Sequence, residues 1–482
     1  MPRDSTSGPT PPRTNEIAAR LTVLPWVAAH GRAERFWQAL GEPLTDADAP
    51  ASSPQPVLSW SQRAMQAAVT WLQEADVPTV AWRERGRLLV LARVVAQRPA
   101  FDARQRQALV LSVALDEDRP YPPVHASRLT AHDPGRAALA DGGDTLARGG
   151  LLLNHALSAV SLLAGLPTAR DLLVLIEMRA TAGATMPTGA TEVAEAEGRA
   201  LLEVAACVLA EAGGVPMDVG GALVLPVPVA QKAALWLRLR GRGRAIDPGL
   251  PEVDGAVDNL LAALALLREA ERPLRICAAS RAQVLGIADS VGVARGLAYR
   301  GLLNAATYGQ ASRRVADMAP YFDALLHDTW TVTRVQASGR PDAAGDDAWA
   351  LLDCRIVPGR TTAQVLAELQ LIVGERVVID VLAERPGKES DLHAQVLRVL
   401  RQTLEARLPG ARVVPRLQLA GCDAWGWRQS AVPCFGFSPV QLPGSIDLEP
   451  LWQRGAVPTI AAERAWGRSV FIEAVARCLV EA

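Results

Sequence analysis

Apolar and polar residues follow one another along the chain in patterns that predict strands and helices in turn. In the first half, the patterns predict a helix in SQRAMQAAVTWLQEAD, two strands around a charged turn at 83–86, a buried strand in QALVLSVAL, an apolar helix at 150–166 and a buried strand at 171–180. Strands that alternate with helices favour an α/β layer with a mostly parallel sheet.

The pattern changes near residue 232. A strand (KAALWLRLRGRG) and an amphipathic helix (VDGAVDNLLAALALLREA) precede a mainly helical section at 270–326, and the order strand, strand, helix, strand follows. This order is typical of a ferredoxin-like α+β layer. We therefore predict an α/β domain at 57–231 and 385–482, interrupted by an inserted domain at 232–384. A flexible, polar and Pro-rich region at 1–56 precedes both.

Composition narrows the class of protein. A chain of 482 residues can bury two cores, and 49% hydrophobic with 21% charged residues is ordinary for a globular protein. The net charge of −1 gives no reason to expect nucleic acid or an anionic membrane as a partner. The polar, Pro-rich residues 1–16 predict no signal peptide, and without an apolar run of about 18 residues we expect no membrane-spanning helix. Six scattered cysteines without CxxC spacing favour reduced thiols and a cytoplasmic location.

One strand ends in a group of acids that could hold a metal. The stretch LVLSVALDEDRP (109–120) places Asp116, Glu117 and Asp118 directly after a buried run. Carboxylates of this kind can coordinate Mg²⁺ or Ca²⁺ through oxygen. A solvated acidic loop is the alternative that we favour, because three neighbouring acids cannot all point inward.

Histidines after this stretch are further candidates for metal ligands. They are His125, His132 and His155. His155 lies in the apolar helical pattern LLLNHALSAV, so we expect a hydrogen-bonded structural histidine there rather than a ligand.

Four longer segments resemble one enzyme family. VPVAQKAALWLRLRGRG (227–243), EVDGAVDNLLAALALL (252–267), WALLDCRIVPGRTTAQVLAEL (349–369) and LAGCDAWGWRQSAVPCFGFSPV (419–440) are similar to the family patterns VxVAEKGxLWLRLxxRG, NAVDRLxxALAxL, AxLDCRxLPGxTxxxVLxEL and GGTDARxFRxxGIPxYGFxP. The family is that of the di-zinc metallopeptidases and amidohydrolases, which includes aminoacylase, carboxypeptidase G, acetylornithine deacetylase and succinyl-diaminopimelate desuccinylase. Order and spacing agree over most of residues 60–440.

The resemblance implies a fold and a mechanism. Family members have a zinc-exopeptidase-like α/β domain with an inserted α+β ferredoxin-like domain that acts as a lid and forms dimers. Two zinc ions lie at the carboxyl edge of the sheet, bridged by an Asp, and a Glu activates their shared water. An Asp two residues after the first His ligand orients that His.

At the mapped positions the ligands are missing from this chain. Asp116 keeps the place of the orienting Asp, but the His before it is replaced by Ala114. The bridging Asp maps to Leu146, the base and ligand positions map near Ala180, and a further ligand maps to Val219. These side chains offer no lone pair to zinc, which usually needs three protein ligands. The zinc expected for the family is therefore not supported, and we predict no cofactor and no metal.

Our first hypothesis is a pseudo-hydrolase that acts as a binding or assembly component. It would hold a peptide or an acyl-amino acid, and form a homodimer through the inserted domain or a heteromer with a partner protein. The vestigial cleft would contain Asp116, Arg148, Asp218 and Asp423.

Two alternatives stay open. The first is a divergent hydrolase or amide-forming enzyme with relocated residues, drawn from Asp116, Asp118, His125, Arg148, Asp218 and Asp423. The second is an interaction module formed by 1–59 and the helical section 270–326. In the loop near Asp423 we expect Trp425 and Trp427 to fill space in the structure.

Overall fold

The structure is a computed structural model that describes most of the chain from residue 60 onward. The described ranges are 60–84, 87–97, 107–116, 144–147, 150–164, 166–179, 197–210, 216–243, 255–340, 343–419, 424–440, 456–459 and 461–480. The region 1–56, predicted to be flexible, lies outside these ranges, as does all of 1–59 proposed as an interaction module.

The described residues divide into two compact units. The first unit takes the described residues up to Val227, the segment Asp391–Val413 and the described residues from Ser430 onward. The second unit takes Pro228–Ser390 and the described residues of Val414–Gln429. The domain boundaries expected from the sequence, with the insert at 232–384, stay a prediction.

The first unit contains a six-stranded, mostly parallel sheet. Its strands are β1 (Thr79–Glu84), β2 (Arg87–Val94), β3 (Ala108–Asp116), β5 (Leu172–Arg179), β6 (Ala205–Ala210) and β15 (Cys434–Gly436), in the order β1-β2-β5-β3-β6-β15. The first two strands form the predicted hairpin, and β2 pairs with β5 antiparallel. The pairs β5–β3, β3–β6 and β6–β15 are parallel. Strand β3 is buried from Ala108 to Leu115, as expected for a parallel strand covered on both faces.

Helices of the first unit pack around one another. They are α1 (Trp60–Glu74), α2 (Gly150–Leu163), α3 (Glu197–Val204), α10 (Gln395–Arg407) and α12 (Ala461–Val480). Helix α2 contacts α1 and α12, and α10 also contacts α12. The chain requires glycine at 467, because a Cβ there would lie 1.9 Å from the carbonyl oxygen of Pro439.

The second unit contains the predicted ferredoxin-like layer. Its sheet has the order β10-β11-β9-β12, with β9 (Ala233–Gly241), β10 (Thr329–Arg340), β11 (Ala343–Ile356) and β12 (Val377–Arg385), and all pairs are antiparallel. Helices α4 (Ala256–Glu269) and α9 (Thr362–Val373) share one apolar core with the strands. Thr361 and Gln364 form a capping box at the start of α9, and the 3-10 helix Gly374–Arg376 follows its end. The predicted fold class is therefore confirmed.

The predicted helical section is present between α4 and β10. It consists of α5 (Ala278–Ser290), α6 (Val293–Gly301), α7 (Ala305–Arg314) and α8 (Ala319–Leu326). Asn304 caps α7 with its side chain, and Cys277 and Ser280 form a capping box at α5.

Several further elements were not predicted. β7 (Met217–Val219), β8 (Ala222–Gln231), β13 (Lys388–Glu389) and β14 (Arg412–Gln418) form a sheet in the order β13-β8-β14, with β7 beside β8. β4 (Asp144–Ala147) pairs antiparallel with β16 (Ala456–Thr459), and α11 spans Ala424–Gln429.

Among the described helices, none has the length and apolar character that crossing a membrane requires. The five described cysteines form no disulfide with one another: Cys207, Cys277, Cys354, Cys434 and Cys478. The cytoplasmic location stays a prediction.

Candidate functional site

The carboxyl edge of the parallel strands is the first candidate site. Strands β3 and β5 end side by side there, with Asp116 in register with Arg179 and Ala114 in register with Glu177. Because parallel strands in register present the same face, Ala114 and Glu177 share a face of the sheet. Both residues are buried, with 7% and 2% of their surface exposed. The position mapped to a zinc ligand therefore holds a methyl group beside a buried carboxylate.

Glu177 is a candidate site residue that the sequence interpretation missed. It is a buried ionisable residue on the central strand β5, one strand away from Asp116. A signal was present in the sequence, since Glu177 interrupts an otherwise apolar run, LLVLIEM. A buried carboxylate needs a hydrogen-bond or ion-pair partner, and such groups often belong to functional sites.

Asp218, a predicted cleft residue, lies in a tight turn. Its Oδ1 accepts a hydrogen bond from the N–H of Gly221 at 2.8 Å, and Gly220 and Gly221 both have positive φ. The side chain of Asp218 is exposed, whereas neighbouring Val219 is 3% exposed. A carboxylate that accepts a backbone hydrogen bond, followed by two glycines with positive φ, is typical of a turn that closes a hairpin. Val219 offers no donor atom for a metal.

Other predicted positions are only partly described. Leu146 lies in β4 with its backbone in register with Val457. The following residues lie outside the described ranges: Glu117, Asp118, His125, His132, Arg148, Ala180, Cys422 and Asp423. Within the described part of the chain, no group of three or more His, Cys, Asp or Glu side chains could hold a metal ion.

His155 is a structural histidine, as predicted. It is fully buried on α2, and its Nε2 donates to the carbonyl oxygen of Pro439 at 2.9 Å. Burial, with a smaller contribution from the positive charge of Arg468, lowers the pKa of His155 to about 3. The ring centroid lies 5.4 Å from that of Phe471. The imidazole is therefore neutral at physiological pH and is held in the core.

The two tryptophans of α11 pack in the second unit. Trp427 is 2% exposed, in agreement with the predicted filling role. Trp425 is half-buried, its Nε1 donates to the carbonyl oxygen of Pro386 at 2.9 Å, and the guanidinium of Arg385 lies 5.1 Å from its ring centroid. Trp425 thus fixes the turn that follows β12.

That turn borders a cleft of about 720 Å³ in the second unit. The cleft is lined by the start of β9, the turn before α9 and the segment after β12. Its lining includes the cationic side chains of Arg360, Arg385 and Lys388, the carboxylates of Glu384 and Glu389, and the first residues of α9. Cations near the amino end of a helix favour a negatively charged ligand. The sequence interpretation did not find this cleft, because PGRTT and RPGK look like ordinary turns.

A buried polar network lies behind the cleft. Lys232 is 1% exposed, and its Nζ donates to the carbonyl oxygens of Ala324 at 2.8 Å and His327 at 2.7 Å. Burial lowers the pKa of Lys232 to about 8, against the opposing effect of the Asp328 charge. The Asp328 carboxylate accepts hydrogen bonds from the N–H of Val357 at 2.8 Å and from Arg360. The network therefore connects the helical section to the cleft.

Comparison with known proteins bears on the fold. No family profile matches the chain. One stretch of 167 residues is 26% identical to the "Probable carboxypeptidase S-like 2" of Dictyostelium discoideum, and covers 34% of this chain and 32% of that protein. The match thus spans about a third of the length of this curated relative.

Three solved structures are similar over nearly their whole length. An M20 family metallo-carboxypeptidase from Sulfolobus solfataricus matches with a TM-score of 0.59 at 12% identity, over 93% of this chain and 99% of its own. Human carnosine dipeptidase 1 matches with a TM-score of 0.53 at 12% identity, over 96% of this chain and 100% of its own. A dinuclear metal-binding M20 peptidase from Bacillus subtilis matches with a TM-score of 0.52 at 13% identity, over 94% of this chain and 99% of its own.

The class that these likenesses define is a peptidase-like hydrolase fold. More specifically, the fold is that of the M20 metallopeptidases, and the resemblance predicted from the sequence is confirmed at the level of the fold. The described residues at the mapped ligand positions, Ala114 and Val219, do not fit a dinuclear zinc centre, because neither side chain has a donor atom.

Proposed function

We propose that the protein is a catalytically degenerate, M20-like pseudo-hydrolase that binds a peptide or an N-acyl amino acid. The observation that carries this proposal is the buried Ala114 near the carboxyl end of β3, two residues before Asp116, at the position that the resemblance maps to a zinc ligand. Without bound zinc there is no metal-activated water to attack an amide at neutral pH.

The cleft of the second unit supports a binding role. A peptide or acyl-amino acid carries a carboxylate, which the guanidinium of Arg385 and the amine of Lys388 could attract. The volume of about 720 Å³ lies within the range of small-molecule sites.

We expect the purified protein to carry less than one zinc ion per chain and to show an unchanged melting temperature when zinc is added. A metal that binds the native state specifically must raise its stability, so the thermal shift reports a site directly. Mass spectrometry of the metal content and differential scanning fluorimetry measure the two quantities. An EDTA-treated sample serves as the control, and stoichiometric zinc with a raised melting temperature would contradict the proposal.

An enzyme with relocated residues is the second candidate function. Glu177 favours it, because a buried carboxylate lies next to Ala114 at the edge where Asp116 ends β3. The zinc experiment separates the two candidates when the same samples are assayed with peptides and N-acyl amino acids. Hydrolysis that survives EDTA and disappears in Glu177→Gln, but not in the exposed Glu203→Gln, would replace the first proposal by the second.

We also propose that two copies pair through the second unit. Strand β10 is at one end of the ferredoxin-like sheet of described strands, and it exposes Val332 and Val335. An edge strand presents unpaired N–H and C=O groups to a second chain.

Light scattering coupled to size exclusion is expected to give twice the chain mass of 51.2 kDa. Val335→Lys should shift the protein to a monomer, because a charge opposite its own copy disfavours pairing. Val293→Lys, at a site that is 82% exposed on α6, is the matched control and should leave the dimer intact. A monomeric wild-type chain would favour the alternative, a heteromer with a partner protein.

A further inference from the structure

The first unit contains a small pocket at the amino edge of its parallel strands. The pocket has a volume of about 150 Å³. It is lined by residues near the starts of β5, β6 and β15, by the start of α10 and by the end of α12, among them Arg170, Cys207, Val399, Phe435 and Cys478. Asp116 and Arg179 end their strands at the opposite edge. The pocket is therefore separate from the candidate site described above.

Most of the lining is apolar. Phe435 is fully buried and Val399 is 2% exposed. Cys207 and Cys478 add two buried thiols. Burial raises the pKa of the Cys207 thiol well above its usual value, so this thiol stays protonated and does not repel an anion. An apolar body of modest size would fit such a lining.

Arg170 is half-buried and is the one cationic side chain among the described residues of the lining. Its Nε is buried and has no hydrogen-bond partner among the described residues. Burial lowers the pKa of Arg170, as expected for a guanidinium that has lost water around it. A buried polar N–H without a partner costs free energy, which an anion in the pocket would recover.

The start of α10 adds positive potential beside Arg170. This helix has 13 residues, begins at Gln395 and has no side-chain cap at Ala394. The first N–H groups of a helix have no partner within the helix, and the helix dipole favours negative charge there. Ala394, Gln395 and Val396 all line the pocket.

We propose that this pocket binds a small molecule with one carboxylate on a short apolar body. The carboxylate would lie against Arg170 and the start of α10, and the apolar body against Val399 and Phe435. The cavity that binds benzene in an engineered protein is also about 150 Å³, which sets the size of the ligand. A phosphate fits less well, because one arginine in an apolar lining leaves most of its oxygens without donors.

Benzoate is a suitable probe, with benzamide as its uncharged counterpart of equal shape. Titration calorimetry and saturation-transfer NMR on the full chain should give a dissociation constant of about 1 mM or tighter for benzoate. Benzamide should bind at least about tenfold more weakly, because it lacks the charge that Arg170 and α10 recognise. This comparison needs no variant.

Variants locate the site. Arg170→Gln should weaken benzoate at least about tenfold and leave benzamide nearly unchanged. Arg398→Gln is the matched control. Arg398 is an exposed cation on α10, and its side chain does not line the pocket. The proposal is overturned if benzoate does not bind, if inorganic phosphate binds more tightly, or if Arg398→Gln has the same effect as Arg170→Gln. None of these outcomes depends on the function proposed for the opposite edge.

Discussion

Replacement of Asp328 by alanine is expected to lower the free energy of unfolding by about 3–5 kcal/mol, the range for breaking a buried ion pair from one side. Asp328 is 5% exposed and accepts hydrogen bonds from the N–H of Val357 and from Arg360. Without the carboxylate, the Val357 N–H loses its partner in a buried position. Arg360 keeps only its bond to Glu368, at 2.5 Å.

Urea unfolding followed by circular dichroism measures this loss. The matched control is Asp289→Ala, which removes the exposed ion pair between Asp289 and Arg300. Exposed pairs of this kind contribute at most about 1 kcal/mol. Asp328→Asn should give an intermediate loss, because an amide oxygen can still accept from Val357. Equal losses for Asp328→Ala and Asp289→Ala would contradict the assignment of a buried network.

The same substitution links stability to the proposed binding cleft. Arg360 lines the cleft, and Asp328 and Glu368 hold its guanidinium in place. Asp328 is therefore a positioning residue for the cleft. A second anchor runs from Glu368 to Arg275 at 3.1 Å, between α9 and the segment before α5. This ion pair therefore attaches the helical section to the ferredoxin-like layer.

Periodicity identified the long regular elements from the sequence. Helix α4 was predicted because apolar residues recur at three- and four-residue steps, and Ala256, Leu260, Ala263 and Leu267 are indeed its buried face. The short strands β7 and β13 have three and two residues. Such lengths are too short for a period to show, and long-range pairing with β8 defines these strands instead.

The candidate site was predictable only in part. The apolar identities of Ala114 and Val219 are read from the sequence, and the structure adds that both side chains are buried. The loss of metal ligands at these positions stays a prediction. Asp218 was assigned to the vestigial cleft because the sequence does not show which way a turn carboxylate points. Glu177 was missed although it interrupts the apolar run of its strand. Lys232 was missed because a single charged residue in a sequence does not reveal that tertiary packing buries it.

Lys232 is informative because the chain has only two lysines, the other being the exposed Lys388. Lys232→Met is expected to lower the free energy of unfolding by about 2 kcal/mol at pH 7, since it leaves the buried carbonyls of Ala324 and His327 without their donor. Lys388→Met is the matched control and should change stability by less than about 0.5 kcal/mol.

The difference in the free energy of unfolding between the wild type and Lys232→Met should depend on pH, and this dependence tests whether Lys232 is buried. Its pKa is about 8 in the folded state and 10.5 in the unfolded chain. Between these values the unfolded state holds a proton that the folded state has released, so the contribution of Lys232 to stability rises with pH. The gap between wild type and Lys232→Met should therefore widen by about 3 kcal/mol from pH 8 to pH 10.5. Other groups, such as Cys277 with its pKa raised to about 11 by burial, titrate in both proteins and cancel in the difference. Urea unfolding across this range measures the gap, and a constant gap would mean that Lys232 is not desolvated as the structure has it.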